Sequence, residues 1–283
     1  MKNSPESIRS KLKNLSKTEN IDFQIILIRY FHERFLFRLS KSNHKNHFLL
    51  KGGTLLYALE GIKTRPTLDI DFLGVAIAND IGVMKNIFTE ICRIQYEEDC
   101  VWFDANSITA ENITENDKYN GVRLHIDAKL VNIRQRLQID IGFGDVYIND
   151  PQQLQYPVLL NESEVPLINA YSIETIIAEK FQAMIELSTL NSRMKDFYDV
   201  YKLLINNMYN VENLTNAIKL TFKNRMTFFT EDHALFSDEF ISNLNRQKLW
   251  NNFLKKKNIK EKIAFQEIMQ VLKEKLYPIW LNI

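Results

Sequence analysis

Alternation of apolar and polar residues is the first signal along this chain, and its period of two indicates strands. The alternation covers residues 67–73, 122–130 and 137–141. A short apolar run at 48–50 predicts a further, buried strand, which two glycines follow as a turn. Together these strands predict a sheet with several antiparallel neighbours.

Helical spacing, in which apolar residues recur every three or four positions, also occurs between the strands and then dominates the rest of the chain. In the first part it covers 20–40 and 81–94, and a further helix is predicted at 54–60. Beyond the last predicted strand the helical segments are 172–189, 192–206, 211–224 and 260–275. We therefore predict an α+β fold, with a mixed-sheet core and flanking helices followed by a C-terminal helical domain.

The change from mixed structure to helices alone predicts a domain boundary near residue 165. Three prolines between 151 and 166 precede the change, and no proline follows until Pro278. The predicted domains are an N-terminal domain at 1–165, with leading helices at 5–42, and a C-terminal helical domain at 166–283.

The composition excludes several classes of protein. The 283 residues include 36 basic and 35 acidic side chains, and a net charge of +1 argues against a protein that coats polyanions through its overall charge. Two cysteines, Cys92 and Cys100, cannot form a disulfide framework or a four-cysteine zinc site. The polar N-terminus and the lack of a long apolar run predict a soluble, cytoplasmic protein with no membrane partner.

One segment of the chain is strongly basic, although basic and acidic residues nearly balance over the whole chain. The segment 246–262 contains seven basic residues and one acidic residue. A solvated surface is the ordinary interpretation of such a segment, and a surface that binds a polyanion is the alternative.

Two aspartates provide the clearest chemical signal. Asp69 and Asp71 lie two positions apart in the predicted strand at 67–73, so their carboxylates point to one face, about 7 Å apart along the backbone. Two such acids repel each other unless a cation or a proton lies between them. Because Mg²⁺ prefers oxygen ligands and is often shared with substrate phosphates, the pair indicates a metal site for phosphoryl or nucleotidyl transfer.

A glycine-rich turn provides a possible phosphate site just before these acids. Gly52 and Gly53 connect the predicted strand at 48–50 to the next helix, and Thr54 follows them. Glycines allow backbone N–H groups to approach a phosphate, and a helix N-terminus favours an anion. The Thr54 hydroxyl can donate one more hydrogen bond. Each motif alone is common, but their order and separation are more specific.

In this order the motifs resemble the signature of the DNA polymerase β-type nucleotidyltransferase superfamily. The wider strings Lys51-Gly-Gly-Thr-Leu-Leu and Arg65-Pro-Thr-Leu-Asp-Ile-Asp-Phe are similar, more narrowly, to the AbiEii/AbiGii toxin family. Later strings that resemble motifs of this family are Gln138-Ile-Asp-Ile-Gly-Phe-Gly-Asp145, Glu174-Thr-Ile-Ile-Ala-Glu-Lys180 and Arg193-Met-Lys-Asp-Phe-Tyr-Asp199.

The resemblance implies a role for each matching residue. Asp69, Asp71 and Asp140 would hold Mg²⁺, with Mn²⁺ as an alternative, and would act as catalytic residues together with Lys180. The residues that would bind the nucleotide are Gly52, Gly53, Thr54, Arg65, Lys180, Asp196 and Asp199.

Several assignments stay open at the level of sequence. Asp127, on a predicted strand, and Asp145, after a glycine, are alternatives to Asp140 as the third carboxylate, although Asp140 alternates with Ile139 and Ile141 on a buried strand. Without the resemblance, Lys180 is an ordinary solvent-facing lysine of a helix, and Asp196 and Asp199 form ion pairs. The family motif usually reads Lys-x-Arg-Asp, whereas here the basic order is reversed, so either Arg193 or Lys195 could face the site.

The function implied by the resemblance is transfer of NMP from an NTP to an acceptor hydroxyl. Within this family the protein would be a toxin of a toxin–antitoxin or phage-defence system. Its acceptor would be the 3′ end of tRNA, and its second partner would be a genetically paired antitoxin, with direct binding left open. The alternatives are nucleotidylation of a small molecule or of a protein, and an inactive nucleotide-binding module.

Overall fold

One mixed sheet dominates the first part of the chain. The computed structural model describes residues 4–115, 119–148, 151–206 and 209–283. Within these ranges the strands are β1 (Phe48–Lys51), β2 (Asp69–Gly74), β3 (Trp102–Glu115), β4 (Tyr119–Leu130), β5 (Ile133–Gly142), β6 (Gln152–Gln155) and β7 (Leu167–Ala170). They form one sheet in the spatial order β3-β4-β5-β2-β1-β7-β6, in which β2–β5 and β1–β7 are parallel pairs. The predicted α+β class, with a mixed sheet, is confirmed.

Helices precede the sheet, connect its strands and form the C-terminal part. In the described ranges the α-helices are α1 (Pro5–Glu19), α2 (Phe23–Lys41), α3 (Gly52–Glu60), α4 (Ile81–Arg93), α5 (Ile173–Leu187), α6 (Met194–Asn206), α7 (Val211–Asn224), α8 (Asp238–Ser242), α9 (Leu244–Lys256) and α10 (Phe265–Trp280). None of these helices is both long and apolar enough to span a bilayer.

The chain forms two compact units. The first comprises Met1–Gly144 and Pro151–Ala170, and the second comprises Asp145–Asp150 and Tyr171–Ile283. The first unit extends past the predicted boundary at 165 because β7 pairs with β1 and with β6 and is therefore part of the sheet.

The alternation in β4 and β5 divides the sheet into an apolar face and a polar face. Every second residue from 122 to 130 and from 137 to 141 is buried, as Leu124, Ile126 and Ile139 are, whereas the residues between them are partly exposed. This is the expected pattern for strands that pack on a core with one face only. The predicted strands at 122–130 and 137–141 therefore have the predicted burial, and their polar face contains Asp140.

Candidate active site

Three carboxylates meet where β2 and β5 pair. The parallel register places Asp71 opposite Asp140 and Asp69 opposite Gln138. Asp69, Asp71 and Asp140 each have an oxygen within 4.8 Å of the corresponding oxygens of the other two, and all three are partly exposed. Strand pairing thus joins the predicted Asp69–Asp71 pair to a third acid that is far away in sequence.

The other two acids considered from sequence have different partners. The Asp127 carboxylate pairs with Arg136 at 3.2 Å. Asp145 lies in the second unit, where it accepts a hydrogen bond of 2.8 Å from Nη2 of Arg225. Among the described residues the three-carboxylate group therefore favours Asp140 as the third acid.

This donor set fits a divalent cation. Three neighbouring carboxylates repel one another, and a hard cation that takes oxygen ligands relieves the repulsion. Partial exposure leaves the oxygens open to an ion from solution. Asp69, Asp71 and Asp140 are therefore the residues that would hold Mg²⁺ or Mn²⁺, and the bound ion would supply neutralising charge for phosphate chemistry.

Two threonines hold Asp69 in place. The Thr67 hydroxyl donates to Oδ1 of Asp69 at 2.6 Å, and the Thr54 hydroxyl donates to the Asp69 carbonyl at 2.8 Å. Thr54 is buried, with 1% of its surface exposed. Its hydroxyl therefore orders the strand that carries the acid, and nucleotide binding by Thr54 stays a prediction. Thr67 was missed from sequence, although its position two residues before Asp69 on one strand face is a local signal.

The two glycines leave room for the acidic strand. Gly52 has a φ of +65°, and a Cβ there would overlap Oδ2 of Asp71 and lie 2.5 Å from its Cγ. A Cβ on Gly53 would lie 2.5 Å from Oγ1 of Thr67. Both positions therefore need glycine for steric reasons, in addition to the predicted approach to phosphate. Phosphate binding by Gly52 and Gly53 stays a prediction.

An arginine and a glutamine hold Asp140. Arg123 donates from Nε to Oδ1 at 2.8 Å and from Nη2 to Oδ2 at 2.7 Å, and Gln138 reaches both oxygens at 3.3 and 3.1 Å. The hydrogen bond to Asp140 raises the pKa of Arg123, so the guanidinium is charged. Gln138 could have been found as the strand neighbour two residues before Asp140. Arg123 has no such local signal, because its contact depends on the register between β4 and β5.

His32 and Arg65 are buried in the same compact unit as the three carboxylates. Burial lowers the pKa of His32 to about 4, although Asp69 and a hydrogen bond with the Leu68 backbone act in the opposite direction. The imidazole is therefore neutral at pH 7 and adds no charge beside Asp69. Arg65 is buried, with 7% of its surface exposed, and its predicted role in nucleotide binding stays a prediction.

The second unit contains a buried cluster around Lys180. Its Nζ lies 2.8 Å from Oδ1 of Asp196 and 2.9 Å from Oδ2 of Asp199, and Oδ2 of Asp196 accepts from Nε of Arg193 at 2.7 Å. The Lys180 side chain is 14% exposed, so it is not a solvent-facing lysine. Arg193 rather than the exposed Lys195 is hydrogen-bonded to Asp196. Roles of Lys180, Asp196 and Asp199 toward a nucleotide stay predictions.

Replacement of Lys180 by methionine is expected to lower the stability of the second unit by about 3–5 kcal/mol, because two buried carboxylates lose the cation that they share, although Asp196 keeps Arg193. Burial alone would raise the pKa of Asp196, but Lys180 and Arg193 lower it below its ordinary value of 3.8. The stabilisation is therefore present above pH 3.8 and is lost as the pH falls through the lower folded-state pKa. Urea unfolding of both proteins at pH 7 and at about pH 3 measures the difference, which should narrow in acid.

Lys202→Met is the matched control for this prediction. Lys202 also pairs with a carboxylate, that of Glu261 at 3.2 Å, but the Glu261 side chain is 51% exposed. Its loss should therefore cost no more than about 1 kcal/mol. Equal destabilisation by the two substitutions would contradict the importance of the buried cluster.

The basic segment 246–262 divides into two parts. Arg246 is buried, donates to the Asn191 carbonyl at 2.8 Å and stacks over the Phe240 ring at 3.6 Å. It is therefore a structural residue. The exposed lysines of the segment are Lys248, Lys255, Lys256, Lys260 and Lys262.

The chain is similar to one protein family and to several solved structures. The family model described as nucleotidyl transferase AbiEii toxin, type IV toxin–antitoxin system, matches residues 34–271. No curated protein matches the chain. Among solved structures, JHP933 from Helicobacter pylori is 17% identical with a TM-score of 0.49, covering 92% of this chain and 93% of its own. An antigenic nucleotidyltransferase-like protein from Paracoccidioides brasiliensis is 12% identical with a TM-score of 0.39, covering 86% and 92%.

The family match includes all the segments that contain the three carboxylates, the two glycines and the Lys180 cluster. The match covers most of the chain, from the middle of α2 to α10. The protein therefore belongs to the AbiEii nucleotidyl transferase toxin family of type IV toxin–antitoxin systems.

Proposed function

We propose that this toxin transfers NMP from an NTP to an acceptor hydroxyl in a reaction that requires a divalent metal: the acceptor oxygen bonds to the α-phosphorus, and pyrophosphate leaves. The observation that supports this most directly is the group of three carboxylates, Asp69, Asp71 and Asp140, with oxygens within 4.8 Å of one another. Three acids at such short distances repel one another, and a bound divalent cation relieves that repulsion.

Each part of the first unit has a defined task in this proposal. The three carboxylates hold the metal, which when bound neutralises negative charge on the reacting phosphates. Thr67 and Thr54 fix Asp69, and Arg123 and Gln138 fix Asp140. Asp140 also accepts the proton of the attacking hydroxyl or orients that hydroxyl. The backbone of the Gly52–Gly53 turn, at the N-terminus of α3, binds the triphosphate.

The acceptor in this proposal is the 3′ end of tRNA, and the reaction takes place in the cytoplasm. Support comes from the family resemblance and from the exposed lysines of segment 246–262, which offer contacts to an RNA backbone. The type IV toxin–antitoxin family also supports an antitoxin as the second partner. Modification of the tRNA end would block its aminoacylation and so explain the toxicity.

The test is transfer of label from each common NTP, labelled at the α-phosphate, with Mg²⁺ and either total tRNA or protein extract. We expect label in RNA of tRNA size, removed by ribonuclease and prevented by EDTA. Label in protein alone, or in small molecules alone, would replace tRNA as the acceptor. Absence of transfer from every NTP to every acceptor would favour an inactive nucleotide-binding module.

A further inference from the structure

The third carboxylate of the metal site already has a cation attached to it. Arg123 contacts both oxygens of Asp140 through Nε and Nη2, at 2.8 and 2.7 Å. Such bidentate pairs are among the strongest and most directional hydrogen bonds in proteins. The pair is only partly buried, with 32% of the Arg123 side chain and 18% of the Asp140 side chain exposed, so ions from solution can reach it.

This contact has two opposing consequences for a metal. The planar fork of the guanidinium fixes the rotation of the Asp140 carboxylate, which keeps one ligand in place before the metal arrives. The same fork uses a lone pair on each oxygen and places a positive charge next to a dication. Arg123 therefore orients the ligand and competes for it.

We propose that Arg123 is a positioning residue that restrains metal binding at Asp140. While no metal is bound, Arg123 compensates the negative charge of the three-carboxylate group. When a metal binds Asp140, Arg123 releases at least one of its two hydrogen bonds to that residue. This inference rests on the proposed metal-dependent function. It adds a residue, outside the three acids, that sets the metal affinity.

A second carboxylate is available to the released guanidinium. Glu111 of β3 is paired in register with Arg123 of β4, and it is exposed on the same polar face. Directly opposed residues of antiparallel strands have Cβ atoms about 4.5–5.5 Å apart, within reach of an arginine. Arg123 can thus move between Asp140 and Glu111 without losing an acidic partner.

The test is direct titration of the full-length protein with Mn²⁺ in the absence of nucleotide, with free Mn²⁺ measured by electron paramagnetic resonance. Arg123→Gln removes the charge, and we expect its Mn²⁺ dissociation constant to be about three- to tenfold lower than that of wild type. Arg123→Lys keeps the charge without the fork, and its dissociation constant should stay near the wild-type value. At saturating Mn²⁺ and NTP, both variants should transfer NMP about 10- to 100-fold more slowly than wild type, because Asp140 is no longer oriented.

Two control variants define the site. Arg136→Gln removes the other arginine–aspartate pair between β4 and β5, that with Asp127, and should change neither Mn²⁺ affinity nor turnover. Asp71→Asn should remove the Mn²⁺ binding itself. Circular dichroism and thermal unfolding check that each variant is folded.

Unchanged or weaker Mn²⁺ binding by Arg123→Gln would overturn the inference while the proposed function stands. If wild type shows no Mn²⁺ binding that depends on Asp71, both fail together. If Arg123→Gln does not fold, Arg123→Lys decides: reduced turnover at unchanged affinity supports the positioning role, and wild-type turnover overturns it.

Discussion

Asp71→Asn is expected to lower nucleotide transfer by about a thousandfold or more, which corresponds to several kcal/mol of lost transition-state stabilisation. Asp71 is central to the site, because it lies opposite Asp140 on β5 and opposite Lys51 at the end of β1. Asparagine has nearly the same shape but lacks the charge that a divalent cation needs. Initial rates at saturating NTP and Mg²⁺ measure the effect.

Asp127→Asn is the matched control, since it changes an aspartate on the same face of the sheet, on β4. Asp127 pairs with the exposed Arg136 and is not part of the three-carboxylate group. We expect its activity to stay within about twofold of wild type, because an exposed pair contributes little. Full activity of Asp71→Asn, or an equal loss in Asp127→Asn, would refute the assignment of the metal ligands.

Gly52→Ala is expected to lower nucleotide transfer almost as much as Asp71→Asn does, although it removes no functional group. The added Cβ would overlap the Asp71 carboxylate, so the acid or the turn must move. Alanine at a φ of +65° also costs about 1–2 kcal/mol of backbone strain. Because a displacement of about 1 Å in a reacting group can cost a hundredfold, we expect transfer to fall by at least that factor. Transfer rate and thermal unfolding are measured on the same preparation.

Gly61→Ala is the control that separates backbone strain from steric overlap with a neighbouring side chain. Gly61 follows α3 with a φ of +80°, and a Cβ there would meet nothing within 4 Å. Its ψ of −167° lies in a backbone region that almost only glycine adopts, so the variant should lose about 1–3 kcal/mol of stability and keep its transfer activity. If Gly52→Ala retains activity to the same extent as Gly61→Ala, the steric role of Gly52 is wrong.

Sequence patterns predicted the centre of the sheet better than its edges. The alternation at 122–130 and 137–141 corresponds to the buried halves of β4 and β5. It does not predict β3, an edge strand, because an irregularity between Asp104 and Thr109 interrupts the pairing and shifts the alternation. The short strands β6 and β7 have too few residues for a period of two to be recognised.

Sequence patterns also predict the C-terminal helices incompletely. Helix α9 lies in the basic segment, where charged and polar residues obscure the apolar spacing, and it was not predicted. Helix α10 was predicted at 260–275 but covers Phe265–Trp280. It includes Pro278 in its last turn, where the missing N–H removes one helical hydrogen bond and leaves the preceding turns intact.

The sequence by itself determined that Asp69 and Asp71 share one strand face, because a period of two holds wherever a strand is placed. It also placed two glycines before them and carried the family motifs. Only the tertiary structure brought Asp140 next to Asp69 and Asp71 and placed Arg123 against it, because strand pairing depends on how the whole sheet buries its apolar face. The steric need for Gly52 likewise became visible only with β1 and β2 paired, since Asp71 lies beside it through that register alone.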